Sequence, residues 1–160
     1  MTVSYADIEL AATRIRGLVE LTPVLTSNQL NHVAGLRLFY KAEHLQKTGA
    51  FKARGAINAV CSLEESKMKQ GVATHSSGNH GAGLARASML HEIPAYVVVP
   101  SDALQIKKDA IAGYGARIIE CQPNLESRES TLSRVVADTG AVFVHPYDDD
   151  KICLLYTSPS

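Results

Sequence analysis

Val72-Ala73-Thr74-His75-Ser76-Ser77-Gly78-Asn79-His80-Gly81 decides the fold of this chain, because a short apolar strand gives way to a polar, glycine-bearing turn and then to a helical stretch. Strand, turn and helix in that order open a βαβ unit. Further on the pattern repeats. Strand-like residues 96–99, 116–120 and 141–145 alternate with helical residues 80–91, 104–112 and 126–139. Gly113, Gly115 and Gly140 close helices, and Pro94 and Pro100 bracket the second strand. Short apolar strands separated by helices of this length predict an α/β fold, with a parallel sheet and helices on both of its faces. The turn at 76–81 then lies where an open parallel sheet exposes its ligand crevice. Its backbone amides and the dipole of the following helix favour an anion, and Gly78 and Gly81 permit close approach.

Before residue 71 the pattern is less regular. Ser4 and Asp7 form a capping box for a helix over 5–19, Thr22-Pro23 ends it, and Ser27 caps a short helix through 33. Residues 36–42 read as a strand, and a helix with an apolar stripe at Ala53, Ala56, Ile57, Val60 and Leu63 follows from 51. Lys52 lies in its first turn. Lys47, Lys52 and Arg54 crowd that turn with no acid until Glu64. Like charge should depress a lysine pKa and free an amine for Schiff-base chemistry. Ser77 with His80 invites a hydrolytic reading, but the Gly-x-Ser-x-Gly elbow is missing. Neither a dinucleotide fingerprint nor a P-loop is present. Of the six histidines only His80 is assigned a role; His32, His44, His75, His91 and His145 read as surface or core residues.

Sixteen basic and sixteen acidic side chains cancel across 160 residues, so no nucleic-acid or membrane footprint is expected and small molecules are the default partners. Cys61, Cys121 and Cys153 have neither disulfide nor metal-ligand spacing, which predicts reduced thiols and no metal site. Without a leader-like N-terminus or a membrane-length apolar run, the expected location is cytoplasmic.

The run Lys47-Thr48-Gly49-Ala50-Phe51-Lys52-Ala53-Arg54-Gly55-Ala56 and the later Ser76-Ser77-Gly78-Asn79-His80-Gly81 together resemble the fold-type II pyridoxal phosphate enzymes, in particular the serine racemase and serine/threonine dehydratase group. The similarity extends to about Asp150, through Leu21-Thr22-Pro23, Ile93-Pro94-Ala95-Tyr96, Tyr114-Gly115-Ala116 and Glu126-Ser127-Arg128-Glu129 to His145-Pro146-Tyr147. It implies the tryptophan synthase β-like fold, with pyridoxal 5′-phosphate carried as a Schiff base on Lys52. Phe51 would lie beside the ring and Asn79 near its hydroxyl. Ser76, Ser77, Gly78, Asn79 and His80 would bind the substrate carboxylate. Lys52 and Ser77 would serve opposite faces of the α-carbon, interconverting L- and D-serine or dehydrating serine to pyruvate and ammonia. Threonine dehydratases similar to this chain usually carry alanine in place of Ser77, which tilts the reading toward racemisation. The resemblance also implies ATP and Mg2+ as activators of a full-length homodimer, with Lys47 and Thr48 at the start of the nucleotide site and the metal carboxylates outside this chain.

By the family pattern, residues 1–70 form the first part of an incomplete large domain and 71–148 a small α/β domain. Residues 149–160 form a divergent tail, expected to mark a truncation or artefact. Family members run about twice as long, and the glycine-rich phosphate loop lies in the missing part. An inactive fragment with at most a binding role is the competing reading.

Overall fold

The computed structural model describes residues 3–153. Its centre is a four-stranded parallel sheet in the order β5-β4-β3-β6, from β3 (Val72–His75), β4 (Ala95–Pro100), β5 (Arg117–Cys121) and β6 (Val142–Phe143). A two-residue antiparallel ladder joins β1 (Val24–Leu25) to β2 (Tyr40–Lys41). Helix α5 (Asn79–Leu90) follows β3, α6 (Gln105–Ala112) follows β4, and α7 (Leu125–Thr139) follows β5. The predicted parallel sheet and its crossover helices are therefore present, with boundaries moved by only a few residues.

Strand alternation divides the core. Val72, Val97 and Val99 join a cluster with Leu84, Ala85 and Ile111 of α5 and α6. Ala73, Val98 and Cys121 point the other way, against Leu132 and Val135 of α7. Helices thus cover both faces, as the apolar strands require. The first cluster also contains Ala11 and Ile15 of α1 (Tyr5–Ile15) and Ala56, Ile57 and Val60 of α3 (Lys52–Cys61), so the N-terminal segment shares the sheet's core.

That sharing depends on small residues. A Cβ placed on Gly83 of α5 would lie 3.2 Å from the Lys52 carbonyl and 3.3 Å from the Ala56 Cβ. Only glycine lets α3 and α5 approach this closely. On another side of α3, Ile152 of α8 (Asp150–Cys153) is buried, and a Cβ on Gly55 would lie 3.0 Å from the Ile152 carbonyl oxygen. Asn58, also buried, donates from Nδ2 to the Lys151 carbonyl at 2.7 Å. Residues 150–153 of the expected tail are therefore packed against α3; residues 154–160 lie outside the described residues.

The first 70 residues depart most from expectation. Helix α1 stops at Ile15, ahead of Gly17 at φ 79°, instead of reaching 19. The capping box and the Ser27 cap are formed, the latter opening α2 (Asn28–Ala34). Of the strand expected over 36–42 only β2 forms. Between β2 and α3 the chain makes two 3-10 turns, Glu43–Leu45 and Lys47–Gly49, the second with Thr48 in the left-handed region at φ 61°. A short helix, α4 (Glu65–Met68), precedes β3. Large apolar side chains stay exposed here, Leu21 and Val33 each at 83%.

Substituting Gly83 with valine should lower unfolding free energy by about 1–3 kcal/mol, the usual cost of overpacking, because three branched carbons must fit where one Cβ is already tight. Urea denaturation measures this; an unchanged midpoint would show that α3 and α5 are not held at this separation.

Candidate active site

Lys52 is the first residue of α3, and Phe51 immediately precedes it. The Lys52 Nζ lies 5.3 Å from the centroid of the Phe51 ring and donates a 2.6 Å hydrogen bond to the carbonyl of Pro146, beyond β6. Half-buried Ser76 leaves β3 with its amide bonded to the Val98 carbonyl at 3.0 Å. Its hydroxyl accepts from the amides of Gly78 at 3.3 Å and Gly81 at 3.2 Å, so one side chain folds the loop back on itself. A Cβ on Gly81 would stand 2.7 Å from the Ser76 carbonyl oxygen, so this glycine is required by the turn. At Gly78 the same position meets nothing within 4 Å, leaving open space over the loop. The Ser76 hydroxyl takes the Gly81 amide, and the two amides before it in α5, of Asn79 and His80, have no intrahelical acceptor. The loop therefore presents backbone amides of the kind that attract an anion.

His80 behaves differently from its neighbours. Its ring is 4% exposed, and Nε2 lies 3.3 Å from the Val144 carbonyl. A carbonyl can only accept, so Nε2 carries the proton, leaving Nδ1 as a buried acceptor without a hydrogen-bond partner. Burial pushes the imidazole pKa down to about 4, against the Val144 bond, with Lys52, His145 and His75 adding smaller repulsions. The side chain is a neutral pin between α5 and the end of β6. Any contribution it makes to anion binding comes from its backbone amide.

Lys52 and His80 are thus tied to carbonyls of one segment, Pro146 and Val144. His145 lies between them, its Nδ1 accepting from the amides of Tyr147 at 3.2 Å and Asp148 at 2.8 Å. Its ring stands 6.1 Å from His75 and 4.5 Å from Tyr147. A groove of about 400 Å³ beside it is lined by His75, Glu129, Phe143 and His145. Burial lowers the His75 pKa, and His145 lowers it further. Neither His75 nor His145 lies in a motif; the signal for them is position, at the last residue of β3 and just beyond β6, at the same end of two neighbouring parallel strands.

The cationic crowding expected around Lys52 is compensated in the fold. Arg54 is buried and forms a two-pronged pair with Glu43, at 2.9 Å from Nε and 2.8 Å from Nη2, and also reaches the Glu20 carbonyl and the Thr22 hydroxyl. The guanidinium holds the Glu43 carboxyl below its usual range despite the opposing effect of burial. Lys47 pairs with Glu20. Both acids come from turns that sequence spacing did not bring near α3, so like-charge repulsion is not the feature that singles out Lys52. Lys47 also lines a cleft of about 290 Å³ with Glu20 and Gln46, and a carboxylate there opposes a polyphosphate. The Thr48 hydroxyl is buried nearby without a partner.

Pyridoxal phosphate fits what is present: an amine on a helix start, an aromatic ring beside it, and open space above a glycine of an amide-rich loop. Residues 15–158 match the model of the pyridoxal-phosphate dependent enzyme family, and the chain belongs to that family, whose cofactor is pyridoxal phosphate. It is 48% identical over 149 residues to β-hydroxyaspartate dehydratase of Paracoccus denitrificans (strain Pd 1222), covering 93% of this chain and 47% of that protein. It is 49% identical over 153 residues to serine racemase of Homo sapiens, covering 94% and 45%. The crystal structure of serine racemase from Dictyostelium discoideum superposes with a TM-score of 0.91 at 45% identity, over 96% of this chain and 50% of that one. The chain spans about half the length of the curated relatives it matches.

Neutral burial of His80 makes stability depend on pH. The folded ring protonates near pH 4 and the unfolded one near 6.5, so the unfolded state binds more protons between these values. Stability is fully present above about pH 6.5 and is lost as pH falls toward 4, by about 3 kcal/mol in all. His75, lowered in the same direction, adds to the slope. Denaturation at stepped pH should show a shallower loss in His80→Gln; an identical slope would mean that His80 is not buried neutral.

Proposed function

We propose that this chain carries the catalytic lysine and the carboxylate loop of an amino-acid racemase and ammonia-lyase acting on serine, with threonine as the alternative substrate. The observation that carries the proposal is the shared anchoring of Lys52 and His80 on residues 144–146, which ties the amine and the amide-rich Ser76–Gly81 loop to one segment. Lys52 would hold pyridoxal phosphate until the substrate amine takes its place, and the cofactor would then supply the electron sink that acidifies the substrate α-carbon and leave the Lys52 amine free as a base. The amides opening α5 hold the substrate carboxylate and so fix which face of the α-carbon meets Lys52. Lys52 Nζ then takes the α-proton on its side, and the Ser77 hydroxyl returns one to the other side, recovering its own from solvent. The two steps together invert the centre. If the β-hydroxyl instead departs as water, serine ends as pyruvate and ammonia, and Ser77 is not needed.

The identities to a serine racemase and to a β-hydroxyaspartate dehydratase support both outcomes, since inversion and elimination share the first proton transfer. The exposed apolar side chains of residues 21–45, Leu21, Val33 and Phe39 among them, fit a surface on which the remainder of a family member's large domain packs. In that arrangement residues 1–70 belong to the large domain and 71–148 to the small one. Lys47 and Thr48 remain the proposed start of an activator nucleotide site.

Serine turnover with pyridoxal phosphate present should separate the two roles. Ser77→Ala is expected to lower D-serine formation from L-serine by about 100-fold or more, the usual worth of a placed acid, while pyruvate formation continues. Lys52→Ala should abolish both. Equal loss of both activities in Ser77→Ala would overturn the two-face assignment.

A further inference from the structure

We propose that His145 is a positioning residue for Lys52, acting through the turn at residues 145–148. The inference rests on Lys52 as the cofactor lysine and concerns what positions its amine. Three hydrogen bonds make the linkage. The His145 Nδ1 accepts from the amides of Tyr147 and Asp148, at 3.2 and 2.8 Å, and so folds the chain back over the imidazole. The carbonyl of the intervening Pro146 accepts from Lys52 Nζ at 2.6 Å. A ring nitrogen that accepts two amides does the work of an Asx side chain in a turn, and proline, having no amide of its own, leaves only its carbonyl to be placed. The segment is held from both sides, by the His80 ring on the Val144 carbonyl and by the Cys153 thiol on the Tyr147 carbonyl at 3.1 Å.

Packing alone would also retain an aromatic ring at 145, since Phe143 and Tyr147 stand 5.4 and 4.5 Å away in edge contact. The two explanations separate on the acceptor. His145→Phe keeps a ring and loses Nδ1; His145→Asn loses the ring and keeps an acceptor oxygen close to the same place.

The test is reductive methylation of the whole chain with limiting formaldehyde and cyanoborohydride, followed by peptide mapping. Lys69, whose side chain is 76% exposed, is the internal reference. The ratio of Lys52 to Lys69 modification should rise at least threefold in His145→Phe and stay within twofold of the unsubstituted chain in His145→Asn. An unchanged ratio in the phenylalanine variant, or an asparagine variant as reactive as it, would overturn the proposal. Should either variant fail to fold, hydrogen exchange on the unsubstituted chain still decides. The Asp148 amide is expected to exchange at least tenfold more slowly than an unstructured amide, and exchange at the unstructured rate would overturn the role of Nδ1. Neither readout uses the cofactor. A chain unable to bind pyridoxal phosphate would overturn the proposed function and leave methylation and exchange to decide the part played by His145.

Discussion

The approach of α3 to α5 is the contact on which the rest of the structure depends. Helix α3 carries Lys52 and α5 begins at the Ser76–Gly81 loop, so the proposed chemistry requires the two helix starts to be neighbours. Gly83 lies over the Lys52 carbonyl and the Ala56 methyl with no room for a side chain. A wider seam with large residues would still bury apolar area, but it would move the amine away from the loop. Small residues here serve position more than hydrophobic gain.

Around that seam, polar groups fix what apolar packing leaves loose. Arg54 gathers Glu43, the Thr22 hydroxyl and the Glu20 carbonyl into one buried cluster, tying both upstream turns to α3. Removing one member of such a pair strands the other, which commonly costs about 3–5 kcal/mol when the pair is well buried. Here Glu43 keeps 20% exposure, so the lower part of that range applies. At the opposite end of the site, residues 144–148 collect the His80 ring, the His145 ring and the Lys52 amine. Two distant stretches of sequence are brought together by the exit of a two-residue strand.

Much of this was legible in the sequence, and the reasons differ by region. From residue 72 to 139 each element lies within a residue of its expected bounds, because it is long or strongly apolar and is punctuated by glycine or proline, whereas of the strand expected over 141–145 only Val142–Phe143 forms. Val72–His75 matched its expected bounds, and α5, expected over 80–91, is shifted by one residue to Asn79–Leu90. The order β5-β4-β3-β6 was not legible, since strand spacing fixes a parallel crossover but not the neighbour it reaches. Upstream of residue 70, residues 36–42 carry aromatic and branched side chains that favour a strand, yet only Tyr40 and Lys41 find a partner. The two 3-10 turns have no period to detect. The pairing of Arg54 with Glu43 and of Lys47 with Glu20 depends on those turns, which is why Lys52 was singled out by charge when its position is what distinguishes it. His80 was assigned to an anion because it lies in the loop; its rotamer, turned inward to Val144, is a packing outcome.

The central claim is that this fold presents Lys52, among its lysines, to an aldehyde cofactor. The most direct measurement is to mix the chain with pyridoxal phosphate, trap the adduct with borohydride and locate the pyridoxyl group by peptide mapping. The account predicts that it lies predominantly on Lys52. Even labelling of Lys52 with exposed lysines such as Lys67, Lys69 and Lys107 would contradict it.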